Sequence, residues 1–200
     1  MEVNIEPTQR RPTKIMMNRL YTTVKTTNVA TVLIQKAYDF SLKVTDTINY
    51  ADSNQTIKKK IQDDHFVSKI GEAAAYNVLQ EYGKVSLPDY EIYPASIKSW
   101  QEDLFMDGIG IAIKTQRRTA ALRYGLSWTF QWSPQRKDRL LEHPDAWVIF
   151  VEYNDQNPYE CHVYPPFQIK ELTFLEPKLA HLQNNKKVVY AHTLPIPSSI

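Results

Sequence analysis

The pair Asp107-Gly108 constrains this chain more than any other local feature, because it stands between the apolar runs Leu104–Met106 and Ile109–Ile113. Asp-Gly is a favoured pair for a two-residue type I′ hairpin turn, whose central residues both take φ > 0. Such a turn sets the register: Met106 faces Ile109, Phe105 faces Gly110, Leu104 faces Ile111 and Asp103 faces Ala112. Opposed side chains emerge on one face, and side chains two apart in a strand share a face. Asp103, Lys114 and Gln116 therefore belong to one polar face, and Ile109, Ile111 and Ile113 form the stripe that a core needs.

The rest of the chain provides what such a hairpin would pack against. Its 200 residues, 42% of them hydrophobic, suit one well-buried domain. The reading by segment is a polar arm over 1–13, N-terminal helices over 14–53, a core over 54–175 and a C-terminal extension over 176–200. Between Lys14 and Asn49 the apolar positions recur at helical spacing, which predicts two helices broken near Thr26-Thr27-Asn28, with Thr27 or Asn28 capping the second. A third helix is expected from about Thr56 to Tyr82, with Ile61, Phe66, Ile70, Ala74 and Val78 on one stripe and Gly83 as its stop. It carries Glu72 among Gly71, Ala73, Ala74 and Ala75, small residues that allow close approach to a sheet; the plainer reading is a solvated helix glutamate. His65, two turns earlier, reads as structural.

Pro88–Tyr93 alternates as a first strand would, pairing with 101–106. Ser127–Trp132 alternates polar and aromatic, Arg136–Glu142 reads as a short helix, and Ala146–Tyr153 is apolar enough for a central strand buried on both faces. Tyr159–Tyr164 follows as a strand, Ile169–Leu182 as partly helical, and Val188–Tyr190 as a short strand. The fold class expected is α/β (α+β), a central mixed sheet flanked by helices.

Charge is unevenly placed. Lys114, Arg117, Arg118, Arg123, Arg136, Lys137 and Arg139 stand against Asp138 alone, so this stretch carries +6 in a chain whose formal total is +2. A basic stretch just after Lys114 suits a polyanion lying across the hairpin; an ordinary basic surface helix is the alternative. Arg117, Arg118 and Arg123 are the candidate phosphate contacts. If Trp128, Phe130 and Trp132 are the buried face of a strand, Ser127, Thr129 and Gln131 form the opposite, exposed face, placed to read a groove.

Several chemistries find no support. The single cysteine, Cys161, allows neither an intrachain disulfide nor a cysteine-built zinc site. No apolar run approaches 18 residues and the start has no signal-peptide pattern, so a soluble, cytoplasmic protein without membrane contact is expected. None of the five glycines sits in a phosphate-binding loop, which argues against a nucleotide cofactor.

An aspartate ending one strand and a lysine on the next, in Asp103 and Ala112-Ile113-Lys114 with the trailing Thr115-Gln116, resembles the PD-(D/E)xK nuclease superfamily. Its usual motif has Glu-x-Lys, and here Ala112 stands where the glutamate would be. The family often has a further glutamate on a preceding helix, a place that Glu72 fits. Asp89, in a literal Pro88-Asp89, is the second choice for the motif's aspartate. The resemblance implies a restriction-endonuclease-like core and a metal-dependent deoxyribonuclease. Mg²⁺, with Mn²⁺ as a substitute, would be bound by Asp103, Glu72 and the Ile113 carbonyl. Lys114 would orient the nucleophile and stabilise the developing charge, and Gln116 would hold the substrate or the groups around the ion's ligands. With Ala112 beside Asp103, a water-sized gap is expected there. Among family members the chain looks most like a type II restriction endonuclease, a homodimer acting on double-stranded DNA. The alternatives are a structure-specific or phage DNA-processing nuclease, such as a junction resolvase or exonuclease, and a non-catalytic DNA-binding protein on the same fold.

Overall fold

The computed structural model describes Met17 and residues 20–46, 57–93, 102–133, 136–157 and 159–196. The arm 1–13, the turn cluster Tyr50–Gln55 and the loop Pro94–Ser96 fall outside the described residues.

The hairpin forms with the register that its turn dictates. Strand β2 (Leu104–Met106) pairs antiparallel with β3 (Ile109–Arg117) as Leu104↔Ile111, Phe105↔Gly110 and Met106↔Ile109. Asp107 and Gly108 both take positive φ, 47° and 82°, as the two centres of a type I′ turn must. β3 then runs parallel to β6 (Trp147–Tyr153), pairing Ile111↔Trp147 through Arg117↔Tyr153. On the far side of β6 lies β7 (Glu160–Val163), and beyond it β1 (Lys25–Asn28), so the sheet order is β1-β7-β6-β3-β2. Short β8 (Phe167–Gln168) also pairs with the start of β6.

Alternation along β3 and β6 divides the interior into two cores. Ile111 and Ile113 join Ile149, Val151 and Tyr153 on one face. Ala112 joins Val148 and Phe150 on the other. The first face is covered by helices α1 (Thr31–Thr45) and α2 (Lys58–Leu79). Gly71 lets α2 come close: a Cβ there would overlap the Thr115 hydroxyl on β3. The second face is covered by a small antiparallel sheet, β5 (Arg136–Lys137), β4 (Ser127–Ser133) and β9 (Lys186–Tyr190). Trp128 stacks on Phe150 with ring centroids 4.5 Å apart and donates its indole N–H to the Val151 carbonyl at 3.0 Å. A third helix, α3 (Arg118–Tyr124), bridges β3 and β4.

The chain is therefore mixed α/β, and several expected elements differ. Lys25–Asn28 is an edge strand rather than the break between two helices, and α1 starts after Ala30 with no side-chain cap, so Thr27 and Asn28 cap nothing. Residues 88–93 form no strand, and the expected pairing with 101–106 is replaced by a single bridge between Val85 and Met106. Residues 136–142 split into β5 and a 3-10 turn, Arg139–Glu142, whose first amides are capped by Asp138. Residues 169–182 contain only two 3-10 turns, Ile169–Glu171 and Ala180–Leu182. The second face of the sheet is covered by strands, because the aromatic alternation of β4 supplies one flat apolar side. β9, from the expected C-terminal extension, is an integral strand of that layer. No helix among the described residues is long and apolar enough to cross a membrane.

The tight Gly71–Thr115 approach makes a direct forecast. Gly71→Ala should lose about 1–3 kcal/mol in chemical denaturation despite alanine's better helix propensity, and adding Thr115→Ala should restore most of it. A neutral or stabilising Gly71→Ala would show that α2 does not sit this close to β3.

Candidate active site

β2 is short and β3 is long, so β3 continues past its partner. From Ala112 to Arg117, the edge of β3 away from β6 has no strand partner among the described residues. Asp103 stands where β2 begins, and its Oδ2 accepts the Ile113 N–H at 2.6 Å, the next amide along that edge. The N–H and C=O of one strand residue point the same way, so the Ile113 carbonyl is directed to the same open edge.

A cleft of about 580 Å³ lies along this edge, between α2 and β4. Asp103, Ile113, Lys114, Gln116, Arg117, Ser127 and Thr129 all line it, together with Asp64 and Ser68 from α2. Most of the residues singled out in the sequence are thus brought together, although several already have partners. The Lys114 ammonium is 2.6 Å from Asp138 Oδ2 and 4.9 Å from the Phe130 ring centroid. Gln116 Oε1 accepts the Ser127 N–H at 2.8 Å, which ties the start of β4 to β3. Arg117 donates to the Asp63 carbonyl at 3.0 Å.

Other residues lie elsewhere. Arg118 forms a pair of hydrogen bonds to Glu152, 3.0 and 3.3 Å, and also reaches His162. Arg123 is exposed on α3, near the Tyr124 ring. Neither arginine lines the cleft, nor does Gln131. The expected exposed face of β4 holds only at Thr129, since Ser127 is buried against Gln116 and Gln131 is half-buried. Asp89 accepts from Tyr93 Oη and the Glu91 N–H and lines a separate, smaller cleft. His65 packs edge-on to Phe40.

Glu72 does not line the cleft. It lies just behind the wall, 2% exposed, where Lys69 Nζ is 2.6 Å from Oε2 and the Ser68 hydroxyl is 3.5 Å from Oε1. Burial pushes its carboxyl up to about 8; the Asp103 charge adds to the rise, and Lys69 and Ser68 oppose it. Asp103 is also raised, again by burial first, with the Ile113 amide, Lys69 and Lys114 pulling it down and Asp138 adding to the rise. Two carboxyl groups raised by burial thus lie near one corner of the fold.

Ala112 corrects an expectation. Its methyl belongs to the buried cluster of Trp128, Phe130, Val148 and Phe150, so the space on its side is apolar and filled rather than a water-sized gap beside Asp103. Three charged residues of the site, Asp64, Lys69 and Asp138, carry no functional reading in the sequence. Lys69 lies three residues before Glu72, a helical spacing that brings side chains together, and this signal was available. Asp138 is 24 residues from Lys114, and only the folding of β4 and β5 joins them.

Family models, curated proteins and solved structures were each compared with the chain. None matches.

Glu72 has a pH signature. Its folded carboxyl titrates near 8, above the ordinary value of 4.5, so the stability contributed by its neutral form is complete below about pH 4.5 and is lost as pH rises through 8. The stability of Glu72→Gln relative to the parent should therefore move in favour of glutamine by roughly a few kcal/mol between pH 5 and 9. Thermal unfolding across that range is the measurement; a difference that stays constant with pH would show Glu72 to be an ordinary surface-like acid.

Proposed function

We propose that the chain is a metal-dependent DNA endonuclease whose active site is the cleft at the open edge of β3. The observation that carries this reading is Asp103, bonded to the Ile113 amide at the corner of a cleft that also contains Lys114 and Arg117, with Glu72 buried just behind that wall.

The donors suit a hard divalent ion. Mg²⁺ is usually held by one or two carboxylates plus waters and substrate oxygens, and Asp103 Oδ1 has no hydrogen-bond partner among the described residues. No group of three or more His, Cys, Asp or Glu side chains suited to a metal occurs among the described residues. Asp103 and the Ile113 carbonyl would hold the ion from the strand, and Glu72 would reach it from α2 directly or through water. When bound, such an ion supplies Lewis acidity, lowering the pKa of water and neutralising phosphate oxygens.

The chain's own residues do the remainder. The Lys114 ammonium, paired with Asp138 and lining the cleft, would stabilise the negative charge that develops on a phosphodiester there. Arg117 adds positive charge at one end of the cleft, and Thr129 offers a hydroxyl on its β4 wall. Gln116 holds the two walls together. Arg118 is engaged by Glu152 and His162 and does not line the cleft. Within this class, a type II restriction endonuclease acting as a homodimer on double-stranded DNA is the specific form proposed. The buried side chain of Ala112 favours a second reading, a DNA-binding protein that does not cut, since the strand offers no carboxylate at that position.

Incubation with circular plasmid and Mg²⁺ separates these. Discrete fragments are expected, abolished by EDTA and reduced about a hundredfold or more in Asp103→Asn. A gel shift without cleavage would establish the binding protein, and a smear would establish a nuclease without sequence preference.

A further inference from the structure

The corner behind the cleft already contains a cation. Lys69 projects from α2 one turn before Glu72; its ammonium is 2.6 Å from Glu72 Oε2, and its side chain is only 13% exposed. Two aromatic rings guide it there, Phe40 at 4.9 Å and Tyr90 at 5.9 Å from ammonium to centroid. The same corner is fixed from the sheet side. Gly71 packs on Thr115, and Asp103 is bonded to Ile113, two residues earlier on the same strand. Lys69 is close enough to Asp103 for its charge to favour the ionised carboxylate.

Lys114, the other ammonium whose charge favours ionised Asp103, is paired with Asp138 and packed over Phe130. The Lys69 ammonium thus occupies Oε2 of Glu72, where a cation held by that carboxyl would have to sit. Holding both the ion and Lys69 would place two like-signed centres against one another in a poorly solvated corner, where repulsion is strong.

We infer that Lys69 is the built-in counter-ion of the Glu72 and Asp103 carboxylates, and that a divalent cation binds this site by displacing the Lys69 ammonium from Glu72. The inference rests on the metal-dependent reading of the cleft and adds to it a positioning residue that sets how tightly the ion is held. Lys69 keeps the acid corner folded and compact without metal, and it makes metal binding a competition. The same competition selects against monovalent ions, which replace an ammonium with no gain in charge.

The test uses the full chain with Mn²⁺ as the probe, titrated calorimetrically at low salt into the parent, Lys69→Met and Lys69→Arg. Methionine keeps the stem packed between the two rings and removes the charge. Lys69→Met should bind Mn²⁺ about tenfold or more tightly than the parent, Lys69→Arg no more tightly than the parent, and Glu72→Gln should weaken binding in both the parent and Lys69→Met backgrounds. A second measurement needs no variant at this position. Reductive methylation of the parent, read by mass spectrometry, should label Lys69 several-fold faster with saturating Mg²⁺ than without, while Lys170, paired with Asp145 outside the cleft, stays constant. If Lys69→Met does not fold, the labelling decides. Equal Mn²⁺ affinity in parent and Lys69→Met, or Lys69 labelling indifferent to Mg²⁺, overturns the displacement and leaves the metal-dependent reading standing. No Mn²⁺ bound by either protein up to millimolar concentration overturns both.

Discussion

The parallel pairing of β3 with β6 is the constraint from which the rest of the molecule follows. Seven residues of each strand are in register, and their alternating side chains supply both interiors, one to the helices and one to the small sheet. Parallel strands are stable only when covered on both faces, which is why a chain of this size spends α1, α2, β4 and β9 on the two coverings. The uncovered part is an edge. β2 protects β3 only as far as Ile111, and an exposed strand edge is a row of unpaired amides and carbonyls. Asp103 satisfies one of those amides, and the remaining edge forms the floor of the cleft.

Polar groups collect at that edge for a physical reason. Backbone groups without a strand partner need water or side chains, so the edge must stay wet, and the two layers cannot close over it. α2 approaches from one side and β4 from the other, and each contributes polar residues to the gap, Asp64 and Ser68 from the helix and Ser127 and Thr129 from the strand. Glu72 is the exception, because it lies one turn too deep to be solvated. Burial pushes its carboxyl up, and Lys69, whose ammonium lies over Phe40 and Tyr90, opposes that rise.

The legible parts of this fold were those decided within a few residues. The Asp107-Gly108 turn and a side-chain period of two were enough for the hairpin register, and the all-apolar run of β6 was enough to mark a strand covered on both faces. Lys25–Asn28 was not legible, because Lys-Thr-Thr-Asn at the sheet's edge buries alternate residues only in part and carries no apolar stripe. β4 was legible as a strand but its coverage of the sheet was not, since that depends on its pairing with β9, some 60 residues away. For the site, the separation of roles among neighbouring arginines needed the fold: Arg117 reaches the cleft, while the next residue turns into α3 and is captured by Glu152. Ala112 is the clearest case. Its position opposite Asp103 in the hairpin register suggests a vacancy, yet the strand's pleat turns its methyl toward Trp128 and Phe150, into a space that aromatic rings already fill.

Anomalous diffraction from crystals soaked in Mn²⁺ addresses the central claim most directly, that the open edge of β3 is a divalent-cation site built from Asp103, the Ile113 carbonyl and Glu72. The expected result is one strong peak in contact with Asp103 Oδ1 and the Ile113 carbonyl, with Glu72 turned toward it. A peak held by other residues, or a soaked crystal in which the Asp103 corner is unchanged and carries no anomalous density, would contradict the claim.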